Sequence, residues 1–204
     1  MKNKIFKYDF LIVGAGLVGS LAAIALHKKK YKVLVIEKNK LFPKDERTLA
    51  VNANSRNFLI NLGIWKNLKS NFESIDKIVI KDYINTKDLI FQNPEESMGS
   101  VIFNKSLLKI SREYLIKNKI LLTNIDFNSF DFKPKKLFSI KSKKFFFNKI
   151  IFSFGKNYKS HENLKKNTFD SGHHAYVGFF KHQKNHNQTA YEIFTMNGPL
   201  AVLP

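Results

Sequence analysis

Asp9-Phe10-Leu11-Ile12-Val13-Gly14-Ala15-Gly16-Leu17-Val18-Gly19 decides the fold of this 204-residue chain. A run of apolar residues leads into the pattern Gly-x-Gly-x-x-Gly, and helical apolar spacing follows from Leu17 to His27. The spacing predicts a buried strand over Phe10–Val13, a tight glycine turn and a helix that starts at the turn. Each glycine has its own reason. Gly14 permits the turn, Gly16 lets a pyrophosphate approach the backbone, and Gly19 lets the helix pack close to the strand. The amides of Leu17 and Val18 then point at phosphate oxygens from the positive end of the helix.

Outward from the loop, the rest of a βαβ unit is present over residues 8–37. Ala23 and Leu26 fall on the inner face of the helix, and Val33–Ile36 is a second apolar strand. Glu37 closes that strand about 20 residues after the loop, where a carboxylate accepts the ribose hydroxyls of a dinucleotide. An acidic residue there repels a 2′-phosphate, which disfavours NADP in this site. The loop by itself does not separate FAD from NAD.

Composition narrows the class. Hydrophobic residues make up 44% of the chain and include 20 Phe, enough for a packed core. With no cysteine, disulfides, thiolate zinc sites and cysteine nucleophiles are excluded. No apolar run approaches the roughly 20 residues of a membrane span. Met1–Tyr8 is basic, but it leads into a strand and a glycine loop and not into a cleavage site. The expectation is a cytoplasmic protein, peripheral at most at the inner face of the membrane. The net charge of +19 comes almost entirely from lysines spread along the chain. Dispersed charge of this kind argues against nucleic acid and leaves weak attraction to an anionic membrane surface open. Lys28–Lys30 and Lys133–Lys136 fall at expected helix ends and turns.

Further along, the pattern predicts a loop over Leu41–Glu46 and a helix over Asn54–Leu62 closed by Gly63, with Phe58, Leu59 and Leu62 on one face. Strands are expected over Ile75–Tyr83 and Asp88–Phe91. A helix over Asn104–Lys117 carries Leu107, Leu108, Ile110, Tyr114 and Leu115. A meander beside the parallel sheet is expected from Ile120–Thr123, Ser129–Phe132, Leu137–Lys141 and Phe145–Phe152. Lys156–Asp170 is polar and loop-like. His174–Phe180, Ala190–Thr195 and Leu200–Leu203 are expected as strands of a further, antiparallel sheet. His161, His173, His174, His182 and His186 alternate with Lys and Asn and are expected at the surface, with no metal site. The fold expected is α/β, a Rossmann-like nucleotide domain with an inserted antiparallel-sheet domain. The nucleotide segments are placed at 1–70 and 98–160, and the substrate segments at 71–97 and 161–204.

The stretch Glu46-Arg47-Thr48-Leu49-Ala50-Val51-Asn52-Ala53-Asn54-Ser55-Arg56, continuing to Leu62-Gly63-Ile64-Trp65, resembles the FAD-dependent aromatic hydroxylases of ubiquinone biosynthesis, the UbiH/UbiF-like family. There an Arg-x-x-Ala-Leu-type strand leads into a helix ending Leu-Gly-hydrophobic-Trp. Met98 to Leu107 is similar to the strand-to-helix step of that family. Asn187-Gln188-Thr189-Ala190-Tyr191-Glu192-Ile193-Phe194 and Gly198 to Pro204 resemble its "TAYERF…GPLALLP" strands. The resemblance implies FAD as the bound dinucleotide, NAD(P)H as electron donor and Arg47 close to the FAD, on phosphate or ribose oxygens. It implies a polyprenylated phenol as substrate, hydroxylated on its ring with O₂, and other ubiquinone-biosynthesis proteins as partners. Trp65 is expected in the core. Phe179, Phe180, Tyr191 and Phe194 are candidates either for core packing or for the wall of an apolar channel. No catalytic acid or base is assigned.

The chain departs from that family in several places. Ser153-Phe154-Gly155 stands where the family has Ala-Asp-Gly, Lys30 replaces a glycine, and Ile193 replaces an arginine. The chain ends at Pro204, before the family's Gly-Asp motif. The expectation is therefore an incomplete family fold, apparently truncated at the C-terminus, that binds FAD weakly and hydroxylates nothing alone. The alternatives are a non-catalytic remnant or assembly partner in a biosynthetic complex, and another flavoprotein oxidoreductase.

Overall fold

β1 (Ile5–Val13), α1 (Leu17–Lys28) and β2 (Val33–Glu37) open the chain, followed by β3 (Thr48–Asn52), α2 (Ala53–Asn61) and a 3₁₀ turn over Trp65–Leu68. β4 (Phe72–Ile75), β5 (Lys77–Asp82), β6 (Leu89–Gln92) and β7 (Gly99–Phe103) lead to α3 (Asn104–Lys117). β8 (Leu121–Thr123), β9 (Leu137–Ile140), β10 (Lys143–Phe152), β11 (Thr189–Thr195) and β12 (Gly198–Val202) complete it. The structure is a computed structural model that describes residues 4–40, 46–68, 71–82, 84, 87–126, 135–140, 142–155 and 167–204. Residues 41–45 of the loop expected at 41–46, residues 156–166 of the loop expected at 156–170, the strand expected at 129–132 and His161 lie outside the described residues. The chain forms two compact units, Met1–Pro43 with Leu108–His174, and Lys44–Leu107 with Ala175–Pro204.

In the first unit a five-stranded sheet has the order β8-β2-β1-β10-β9. β8, β2, β1 and β10 are parallel neighbours, and only β9 runs antiparallel, against β10. Leu11, Ile12 and Val13 are all buried, as are Val33 to Ile36. Consecutive burial means that both faces of the sheet are covered, as parallel sheets require. One face gathers Leu11, Val13, Leu34, Ile36, Phe138, Phe145 and Phe147 with Ile125 and Ile140. The Phe145 and Phe147 rings stack nearly parallel within it. The expected meander is thus corrected: β8 and β10 belong to the parallel sheet itself. β10 is recruited because its inward Phe145 and Phe147 lie in register with Phe6 and Tyr8 of β1, which pack on the same cluster.

In the second unit β3-β7-β4 form a small antiparallel sheet, and β12-β11-β5-β6 form a mixed one. Both β11–β12 and β5–β6 are antiparallel, but β11 joins β5 in parallel. The single strand expected over Ile75–Tyr83 is two strands. At Asp76 the backbone N–H turns to the Gln188 carbonyl at 2.9 Å, so the chain leaves β7 and joins β11. Asn52 caps α2 by accepting from the Ser55 N–H at 2.8 Å. Gly63, at φ +65°, ends the helix with paired bonds from Gly63 to Ile60 and from Ile64 to Leu59, a Schellman ending.

Residues 44–70 and 98–107 group with the second unit because β3 hydrogen-bonds to β7. Three further expectations are corrected. Phe58 is exposed while Leu59 and Leu62 are buried. Trp65 is half-buried against Phe72, ring centroids 5.0 Å apart. His174–Phe180 forms no strand, and Tyr176, Phe179 and Phe180 are exposed. Backbone that pairs with no neighbour cannot bury alternate side chains, whatever its apolar content.

Candidate functional site

The site is built where β1 ends and α1 begins. Gly14 has φ +103°, and a Cβ there would collide with the Ser153 carbonyl at the end of β10. A Cβ on Gly19 would collide with the Gly14 carbonyl and the Ser153 hydroxyl. The close approach at Gly19 is therefore between the helix and the loop. Gly16 differs, since a Cβ built there meets no atom of the described residues within 4 Å. Among the described residues nothing requires glycine at 16, and the open space lies where the sequence places a pyrophosphate.

The loop carbonyls all turn inward. Val13 O accepts from the Ser153 N–H at 2.9 Å, and the Ser153 hydroxyl is shared between Val13 O and Gly14 O at 3.0 Å each. Ala15 O accepts from Arg112 Nε at 2.8 Å and from the Ser20 hydroxyl at 3.1 Å. Gly16 O accepts the first helical bond, from Ser20 N at 2.9 Å. The outward face of the loop is left to N–H groups. Among the described residues no side chain caps the start of α1, and its first turn carries no acidic residue. The first amides of a helix have no intrahelical acceptor and sit at its positive end. An arrangement of this kind can accept an anion at the start of α1, beside the exposed Val18 side chain.

Glu37 stands beside this surface. Its Oε2 accepts from the Ala15 N–H at 2.7 Å and lies 3.2 Å from Arg112 Nη2. Its Oε1 accepts from the Asn39 N–H at 3.0 Å. A carboxylate oxygen can take a second donor, so Oε1 keeps capacity for a hydroxyl. Arg112 is 4% exposed. Burial lowers its pKa from the ordinary value, and the Glu37 carboxylate opposes that shift.

The structure thus brings Gly14, Gly16, Leu17, Val18, Gly19 and Glu37 together in the first unit. Arg47 is exposed in the second unit, and its carbonyl accepts from the Asn104 N–H at 2.9 Å. Arg112 is the residue that sequence reasoning missed. The buried face of α3 is Leu107, Leu108, Ser111, Arg112 and Leu115, so a serine and an arginine take inward positions that apolar counting gives to Ile110 and Tyr114. The spacing from Leu108 to Arg112 to Leu115 is a signal that was available, but a charge at an inward position reads as solvent-facing. Ser153 forms part of the loop's floor, while Phe154 packs against the core cluster with its ring 5.0 Å from that of Phe152. His173, His174 and His182 are exposed, and among the described residues no three His, Cys, Asp or Glu side chains gather as a metal site. No helix among the described residues is long and apolar enough to cross a membrane.

Residues 12–42 match the sequence profile of the NAD(P)-binding Rossmann-like domain. No curated protein sequence matches the chain significantly. Among solved structures, the chain is similar to the tetrameric form of 2-methyl-3-hydroxypyridine-5-carboxylic acid oxygenase, with a TM-score of 0.67 at 13% identity. That likeness covers 95% of this chain and 53% of the oxygenase. The rebeccamycin biosynthetic enzyme RebC with reduced flavin gives 0.55 at 14% identity, covering 74% of this chain and 33% of RebC. Tetracycline destructase Tet(51) gives 0.52 at 15% identity, covering 74% and 39%. The chain therefore spans between a third and about half of the length of these proteins. At such identities the likeness concerns the fold, an α/β architecture with a Rossmann-like nucleotide unit.

Proposed function

We propose that this chain carries the ADP end of the FAD site of a flavin monooxygenase. We further propose that the enzyme hydroxylates the ring of a polyprenylated phenol in ubiquinone biosynthesis, with NAD(P)H as electron donor. The observation that carries the first part is the uncapped start of α1, where every loop carbonyl is turned away and Glu37 lies alongside. These residues fit the ADP moiety. Gly16 admits the pyrophosphate, the amides of Leu17 and Val18 bind it, and Gly14 and Glu37 Oε1 hold the turn and the ribose. FAD, when bound, supplies the transfer of electrons from NAD(P)H to O₂.

Three considerations support the flavin and the substrate. One fold neighbour is a flavin-bound enzyme and another is an oxygenase. The segments from Glu46 to Trp65 and from Asn187 to Pro204 resemble the ubiquinone hydroxylases. Leu89, Phe91 and Phe194 are exposed and share one face of the mixed sheet of the second unit, an apolar surface of the kind a polyprenyl tail needs. With a net charge of +19, the protein would also be drawn weakly to an anionic membrane surface, where such a substrate and other ubiquinone-biosynthesis proteins reside.

A second reading, a non-catalytic assembly partner, is favoured by Phe154. It stands where the family has an aspartate and packs against the hydrophobic core. The two readings separate when FAD, NAD(P)H and a short-tailed polyprenyl phenol are supplied and products are followed by mass spectrometry. Hydroxylated phenol supports the monooxygenase. Peroxide without product supports a flavin site too incomplete to transfer oxygen, and no flavin bound at all supports the partner.

A further inference from the structure

Arg112 is almost wholly buried and lies eight residues into α3, yet none of the dinucleotide-loop chemistry assigned above uses it. Its Nε donates to Ala15 O, and its Nη2 lies against Glu37 Oε2. The Ala15 N–H donates to the same Oε2. The three groups close a ring, in which both polar atoms of the Ala15 residue are tied to side chains from β2 and α3. Ala15 is the middle of Gly-Ala-Gly, so its orientation sets which way the next amides point. Glu37 is anchored through Oε2, which presents Oε1 and its remaining lone pair.

We propose that Arg112 is a positioning residue of the nucleotide site, which holds the Ala15 backbone and the Glu37 carboxylate in their ligand-binding arrangement before the ligand arrives. At 4% exposure it does not itself touch a ligand. Its geometry explains the choice of arginine. One planar guanidinium reaches a carbonyl and a carboxylate at once, whereas a lysine ammonium is a point charge that satisfies the carboxylate and leaves Ala15 O to Ser20 alone. The inference rests on the reading of the loop as a nucleotide site and adds the device that shapes it.

The test measures ADP and 2′,3′-dideoxy-ADP binding by calorimetry, with thermal melts, for the wild type, Arg112→Met and Arg112→Lys. The wild type should bind ADP and prefer it to the dideoxy analogue. Arg112→Met should lose about 10-fold in ADP affinity and most of the preference for the ribose hydroxyls. Arg112→Lys should melt close to the wild type and recover only part of the affinity. A merely structural role would lower the melting temperature and leave the hydroxyl preference of the folded protein intact. Wild-type affinity and preference in folded Arg112→Lys and Arg112→Met overturn the proposal. Should Arg112→Met fail to fold, Arg112→Lys decides alone: an unchanged Kd and preference overturns it, and a several-fold loss at an unchanged melt supports it. No ADP binding by the wild type is a different failure, because it removes the nucleotide site itself.

Discussion

At the residue scale, the three glycines of the loop answer to different demands, and substitution separates them. Gly14→Ala forces a side chain into φ +103° and into the Ser153 carbonyl. It should destabilise the fold by about 1–3 kcal/mol, read from the urea midpoint. Gly16→Val places its side chain in open space, so stability should hold while ADP and FAD binding are lost. Unchanged ADP affinity in a calorimeter would show that the loop is not the site. Glu37→Ala removes the charge-assisted contact proposed for the ribose, which predicts roughly a 10-fold or greater loss of ADP-ribose affinity. The structure adds a second effect. Glu37 also bonds Ala15 and Asn39 and pairs with Arg112, and breaking a buried pair from one side costs about 3–5 kcal/mol of stability. An equal affinity loss for a ligand without ribose hydroxyls would assign the whole effect to folding. The glycines and Glu37 were legible because they obey a fixed spacing within one βαβ unit. Arg112 was not, because the contact joins positions 97 residues apart and a charge at an inward helical position reads as solvent-facing.

At the scale of elements, β1 was legible only in its second half. Phe10–Val13 reads as a strand from its apolar run, but Ile5–Asp9 alternates with lysine and is held by pairing with Lys144–Phe147. Tyr8 lies in that extension, against Phe145 and Phe147. Burial raises its phenol pKa above 10.0, so the neutral form is the one the folded state prefers. The stability it contributes is complete below the unfolded value and is lost as pH rises through the folded value. Stability should therefore fall in alkali above about pH 10, and Tyr8→Phe should flatten that part of the curve. An identical alkaline limb in the variant would place the effect elsewhere, for instance on Tyr114, which burial shifts in the same direction. The helices α1, α2 and α3 follow their expected spans because caps and periodicity are local. His174–Phe180 fails because its strand-like composition meets no partner strand among the described residues.

For the molecule as a whole, exposed apolar side chains are concentrated in the second unit. Tyr176, Val177, Phe179 and Phe180 are exposed, as are Leu89, Ile90, Leu200 and Val202 on the mixed sheet. Patches of this kind favour association. The chain should bind a hydrophobic dye such as ANS and self-associate with concentration. Phe179→Ser with Phe180→Ser should weaken both, as read by fluorescence and light scattering. Retention of dye and of association in the double variant would move the sticky surface to the β-sheet. The positive charge, by contrast, was legible from the sequence as a dispersed property.

The central pairing of the first unit carries a consequence in time. β1 bonds to β10 in register from Ile5 with Lys144 to Val13 with Phe152. On a ribosome adding about 5–20 residues per second, the second partner follows the first by roughly 7–28 s. For that interval β1, α1 and β2 form a nascent βαβ unit with one hydrophobic edge open, and a pairing this distant along the chain closes late. The open edge of β1 is where a chaperone, or a wrong strand, gets its chance before the glycine loop acquires Ser153 and its floor.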